Sequence, residues 1–155
     1  MTDIRLPLGG LKFSVRVVLL CVREGQLLTQ TGEGFHFLPG GALSTGEDTF
    51  TCARREWEEE TGLAAGELRL VGVVENFFGP AERRQHEIGF YFQMDPPPGL
   101  PDGSFALLDN DKTRFEWLAL ETCAAQPVYP LAALSLLDVP AGEVRHIVNR
   151  ESAHD

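Results

Sequence analysis

The 155-residue chain has little that would point away from an ordinary folded enzyme or binding protein. Its three cysteines, Cys21, Cys52 and Cys123, are far apart, odd in number and form no CxxC pair. That spacing argues against a disulfide framework and against a zinc site, and fits a reducing compartment. No long apolar run exists; the longest, Val17 to Val22, is too short to cross a bilayer, and the N-terminal Met-Thr-Asp-Ile-Arg-Leu-Pro lacks a signal-peptide pattern. The expectation is a cytoplasmic protein without a membrane partner. Positive charge is also scarce: 13 Lys and Arg stand against 23 Asp and Glu, for a net charge of −10. Such a chain has no general attraction to DNA or RNA duplexes. A small phosphorylated ligand remains compatible where a divalent cation screens its charge. Repeats and low-complexity blocks are absent, and the length suits one core, so residues 1–155 are expected to form a single domain.

With 43% apolar residues the chain can bury a sizeable core. Phe13 to Val22 is apolar and β-branched enough for a buried strand, Gln26 to Thr29 can pair with it across Glu24-Gly25, and Phe35 to Leu38 is a third candidate that Gly40-Gly41 ends. From Asp48 to Thr61 the pattern is helical, capped by Asp48 or Thr49 and stopped by Gly62. Leu68 to Phe78, Glu87 to Met94 and Arg114 to Leu118 read as strands, Tyr129 to Leu137 as a second helix, and Val144 to Asn149 as a final edge strand. The prolines of Asp95 to Gly103 mark a loop. Strands on both sides of a helix, with a late second helix, predict an α/β fold whose mixed sheet is covered on two faces.

The chemistry concentrates in Arg55-Glu56-Trp57-Glu58-Glu59-Glu60. On a helix Glu56, Glu59 and Glu60 stand at i, i+3 and i+4 and share a face, while Phe50, Ala53, Trp57 and Thr61 form the adjoining packing stripe. Like charges at this spacing repel by roughly 0.2–0.5 kcal/mol per pair, which a hard divalent cation relieves. Taken alone, a glutamate run is more often a solvated helix face than a metal site.

Context changes that balance. Gly41, five residues, Glu47, seven residues, Arg55-Glu56-Trp57, one residue, Glu59-Glu60, one residue, Gly62-Leu63 resembles the Nudix box, Gx5Ex7REUxEExGU, nine specified positions in 23 residues, in every spacing and polar identity. The one departure is Trp57, where the family usually has an aliphatic residue and where a buried indole N–H needs a partner. Phe35 to Gly41 resembles the aromatic-x-Leu-Pro-Gly-Gly lead-in, and Phe115-Glu116-Trp117-Leu118 the late Glu-x-Trp strand, so the likeness covers about residues 13–137.

The resemblance implies an α/β/α sandwich with a mixed β-sheet between helices and a Mg2+-dependent hydrolase, with Mn2+ as substitute, that cuts a phosphoanhydride bond in a nucleotide or a nucleoside diphosphate linked to another moiety. Glu56, Glu59 and Glu60 fall on its metal positions, and Glu59 or Glu56 would take the proton of the attacking water. Arg55 is expected to pair with a box glutamate. Gly41 and Gly62 permit turns, and Glu47 is either a metal neighbour or, through the spacing Ser44-x-x-Glu47, a partner of backbone amides. Glu87, sharing a strand face with Gly89 and Tyr91, could add a carboxylate or be a surface glutamate. His86 reads as an exposed loop residue rather than a phosphate contact. Phe77, Phe78 and Tyr91 could stack on a base, although at strand spacing core packing is commoner.

The family's substrate markers do not match: Phe78 stands where a proline marks ADP-ribose enzymes, with Pro80 two residues on, and the coenzyme A signature is incomplete beyond Leu27-Leu28-Thr29. The partner expected is a small-molecule nucleotide, and a homodimer, to which the Pro96–Gly103 loop could contribute, is the expected assembly. The alternative is a regulatory module of the same fold that binds nucleotides without cutting them. The intact glutamates count against it.

Overall fold

The computed structural model describes residues 1–153. In chain order it forms β1 (Arg5–Leu8), β2 (Leu11–Leu20), β3 (Val22–Arg23), β4 (Gln26–Gly32), β5 (Phe35–Phe37), β6 (Gly40–Ala42), α1 (Thr49–Thr61), β7 (Leu68–Phe78), β8 (Gln85–Met94), β9 (Phe105–Ala106), β10 (Arg114–Ala119), α2 (Leu120–Cys123), β11 (Val128–Tyr129) and β12 (Arg145–Arg150). Two mixed sheets result. The first runs β1-β2-β8-β7-β12 with β6 on the same edge of β2 as β1, and its β2–β8 and β7–β12 pairs are parallel. The second runs β11-β5-β4-β10-β9 with β3 also on β4.

The apolar run in β2 is continuous because both of its faces are covered. Val17 and Leu19 join Cys52, Ala53 and Trp57 of α1, Phe92 of β8, and Leu28, Phe115 and Trp117 of the second sheet. Val18 and Leu20 point the other way, to Val74, Tyr91, Leu27, Leu118 and the 3-10 turn Leu131–Leu136. Helix on one side, α2 and the 3-10 turn on the other, give the expected α/β/α layering.

Four expectations are corrected. Gly40-Gly41 does not end the strands: both residues lie in β6, paired antiparallel to Val17 and Val18. Gln26 to Thr29 pairs with Val22–Arg23 and the carbonyl of Cys21, not with Phe13 to Leu20, because the chain changes sheets at Cys21. Tyr129 to Leu137 is no α-helix but β11 followed by the 3-10 turn; the Leu136 and Leu137 carbonyls accept from Gln93, at 3.2 and 2.9 Å, instead of from later amides. His86 is not in an exposed loop: it lies in β8, stacked on Phe77 at 4.4 Å and edge-on to Phe13.

The proline-rich segment is a loop, pinned by the Trp117 indole donating to the Pro101 carbonyl (2.9 Å) and by Arg23, which lies over Trp117 and donates to the Leu100 and Pro101 carbonyls. Trp57 fills the centre of the first core edge-on to Phe115, its indole N–H buried without a partner. Phe115→Ala should therefore lower unfolding free energy by about 3–5 kcal/mol in urea titrations, whereas Val144→Ala, at an exposed position, should stay within about 0.5 kcal/mol.

Candidate functional site

The acidic helix is fixed at both ends. Asp48 accepts from the Thr51 amide (2.9 Å), and Gly62, in the left-handed region at φ 73°, returns its N–H to Glu58. No basic residue stands in the last turn, so Glu58, Glu59 and Glu60 oppose the helix dipole at the C-terminal end. The carboxylate row is locally unfavourable, and its partners must come from elsewhere.

Arg55 supplies most of them. Its Nε and Nη2 donate to Glu47 at 3.0 and 2.5 Å, its Nη1 to Glu56 at 3.0 Å and to Glu59 at 3.3 Å, and its Nη2 also to the Ala42 carbonyl of β6. The fork lies across Glu47, whose carboxyl it holds down to about 2, and Glu47 in turn accepts from the Ser44 amide at 2.9 Å. Both structural readings of Glu47 and Arg55 are thus present in one network that ties the helix to the segment after β6.

The three glutamates differ. Glu59 is half exposed. Glu56 is mostly buried against Gly41, where any Cβ would overlap its carboxylate, and burial pushes its carboxyl up against the pull of Arg55. Glu60 is buried, accepts from Gln30 of β4, and is pushed up to about 8 by burial and by the charges of Glu56 and Asp109. Among the described residues no three carboxylate, imidazole or thiolate side chains converge as a closed metal cage. Magnesium asks for less: it keeps several waters and uses one or two carboxylates plus substrate phosphates. A row in which Glu56 and Glu60 are destabilised as anions fits such a cation.

Asp109 went unnoticed in the sequence. The Leu108 amide donates to the Glu60 carbonyl at 2.9 Å, which brings Asp109 beside the row. The acidic run Asp109-Asn110-Asp111 before β10 was the available sign.

Next to β6 a cavity of about 730 Å³ opens on the opposite face of the first sheet. The strand register lays out its floor. Arg5, Ser14, Glu87 and Asn76 form one row across β1, β2, β8 and β7, with Lys12 and Gln85 in the row outside and Ala42 and Arg16 in the row toward β6. Phe37, Leu38, Tyr129, Pro130 and Phe78 line the walls. Glu87 is neither at the surface nor beside the box glutamates: it is buried, with Arg16, Lys12 and Arg5 the nearest charges, and burial pushes its carboxyl up. Of the aromatic candidates, Phe78 faces the cavity, Phe77 packs between His86 and Arg150, and Tyr91 lies in the core.

The NUDIX domain matches residues 11–136. A "MutT-like protein" of Streptomyces ambofaciens is 28% identical over 144 residues, covering 91% of this chain and 86% of that protein. Among solved structures, a MutT protein of Bacillus halodurans superposes with a TM-score of 0.67 at 17% identity over 86% of both chains. A MutT NUDIX hydrolase of Burkholderia pseudomallei gives 0.63 at 23% identity, over 81% of this chain and 98% of its own.

Two opposite pH limbs should appear in thermal unfolding of the metal-free protein. Glu47, near 4.5 when unfolded and about 2 when folded, adds stability that is complete above about 4.5 and lost as pH falls toward 2. Glu60, about 8 when folded, makes the native state hold the extra proton between about 4.5 and 8, so stability falls as pH rises through that window. Glu47→Gln should flatten the acid limb and Glu60→Gln the neutral one.

Proposed function

The chain belongs to the NUDIX family, and from that premise we propose that it is a Mg2+-dependent hydrolase that cuts a phosphoanhydride bond in a nucleotide or a nucleoside diphosphate linked to another moiety. The observation that carries this reading is the helix row Glu56, Glu59 and Glu60, clamped by Arg55 and Glu47. Relatives named as MutT-like and as a MutT NUDIX hydrolase support the same class.

Glu56, Glu59 and Glu60 would hold the Mg2+, with Mn2+ able to replace it. When bound, the cation neutralises charge on the diphosphate and polarises its phosphorus. The chain's own groups do the rest. Glu59, the most exposed of the three, takes the proton of a water attacking in line, since its carboxylate reaches solvent while Glu56 and Glu60 are enclosed. Arg55 fixes the angles of Glu56 and Glu59 through its Nη1. Gly41 leaves the space that the Glu56 carboxylate occupies. Gln30 fixes one oxygen of Glu60 from the second sheet.

Phosphate-product release from ADP-ribose, dinucleoside polyphosphates, nucleoside di- and triphosphates and nucleotide sugars, with Mg2+, Mn2+ or EDTA, tests the reading. Metal-dependent cleavage of at least one is expected. Nucleotide binding without cleavage across the panel would instead support the non-catalytic module. Glu59→Gln and Glu60→Gln should each lose on the order of 10²-fold or more in rate while both variants still fold and unfold cooperatively. Near-normal turnover in both would remove the row from the site.

A further inference from the structure

The cavity gathers Arg5, Lys12, Arg16 and Arg83, four of the chain's 13 cationic side chains. None of the four makes a side-chain hydrogen bond or ion pair with another described residue, and the Nε of Arg16 is buried without a partner. Eight of the other nine contrast with them, Lys112 being the exception. Arg23, Arg55, Arg69, Arg84, Arg114 and Arg145 are hydrogen-bonded, and Arg54 and Arg150 lie over phenyl rings. In a chain of net charge −10, the cations without internal partners are thus concentrated around one concavity. Glu87, Glu82 and Glu151 also line it, but Glu151 is already engaged by Asn149 at 3.0 Å, and buried Glu87 faces three of the cations at once.

Position separates these cations into two groups. Gly41, against which Glu56 packs, lies opposite Val17 on β2. Arg16 is one residue away and acts on both Glu60 and Glu87, so it serves the end of the cavity next to the proposed metal row. Lys12 is five residues away, about 16 Å along the strand at about 3.3 Å per residue. Arg83 adjoins it, because the Lys12 amide donates to the Arg84 carbonyl at 3.0 Å and Lys12 faces Gln85. Arg5 stands two residues closer on β1, opposite Ser14. A diphosphate held by the helix row spans only a few bonds and does not reach Lys12 and Arg83.

We propose that Lys12, Arg83 and Arg5 form a subsite for a second phosphate group, carried as a monoester on the part of the substrate that occupies the cavity. The inference rests on the hydrolase reading for the identity of the bond cut, but the subsite itself stands on the placement of these residues. Guanidinium groups offer phosphate paired donors and Lys12 a mobile point charge. The preferred substrate class is then a nucleoside-diphosphate compound bearing an additional phosphate ester remote from the anhydride.

Two measurements test this. Inorganic phosphate is titrated into the metal-free full chain while backbone amide shifts are followed. Saturable shifts at Lys12, Ser14 and Gln85 are expected, weakened at least tenfold in Lys12→Ala and unchanged in Arg145→Ala. Shifts scattered over the surface, or equal affinity in Lys12→Ala, overturn the subsite. Second, kcat/KM is compared within pairs differing by one phosphate ester, ADP-ribose 2′-phosphate against ADP-ribose and NADPH against NADH. A tenfold or greater preference for the phosphorylated member of at least one pair, erased by Lys12→Ala and by Arg83→Ala, is expected. Equal rates within every hydrolysed pair overturn the proposal. If neither pair nor any compound of the wider nucleotide panel is hydrolysed but phosphate still titrates Lys12, the hydrolase reading fails and the subsite stands. Lys12→Gln repeats both measurements should the alanine variant lose its fold.

Discussion

A single guanidinium organises the acidic end of this molecule. Without Arg55, Glu47, Glu56 and Glu59 would face one another across the gap between helix and β6 with little beyond the Ser44 amide and the Cys52 thiol at Glu47 to relieve them. The planar fork engages two elements together: one edge lies on Glu47 and the Ala42 carbonyl, while Nη1 reaches the helix row. The geometry of the row therefore depends on how closely the segment Gly40 to Glu47 approaches α1. That approach depends in turn on Gly41 having no side chain. Lys at position 55 would carry the same charge but could not hold three carboxylates at fixed angles.

The carboxylate row also explains why the helix needs strong tertiary support. A helix that ends in three consecutive glutamates gains little from its own dipole and from its own neighbours. Cys52, Ala53 and Trp57 compensate by being fully enclosed between the two sheets. Trp57 supplies the largest of these surfaces and leaves an indole N–H unsatisfied. Such an orphan donor costs roughly 1–3 kcal/mol, which the large apolar area of the ring can offset.

What could be read in the sequence was what is local. Helix period, the Asp48 cap and the Gly62 stop lie within one stretch of chain, so α1 and the shared face of Glu56, Glu59 and Glu60 were legible, as was Leu68–Phe78 by its β-branched run. Sheet membership was not. Nothing in Val17 to Val22 announces that the chain leaves one sheet at Cys21 and enters another, since both environments ask for apolar residues. The 3-10 turn owes its form to Gln93, more than forty residues earlier. The sequence leaves Glu87 open between a site carboxylate and a surface one because its strand begins at a polar hairpin, and only the register against Ser14 and Asn76 shows it enclosed. The cavity cations come from β1, β2 and the turn after β7, and no spacing rule joins them. Asp109 likewise meets Glu60 only through a tertiary contact.

The register of β2 has one more consequence, for how this protein can change over generations. Its inner residues, Val17 to Leu20, are committed to both cores and can vary only with many neighbours at once. Lys12, together with Arg5 and Arg83 on adjoining segments, supports neither core, and all three are solvent-accessible. Substitutions there are nearly free of folding cost, while the residues of the acidic helix are bound to one another through Arg55. Selection can thus rewrite the lining of the cavity while leaving the acidic helix untouched, a separation that makes divergence among paralogues easy and reversal equally so.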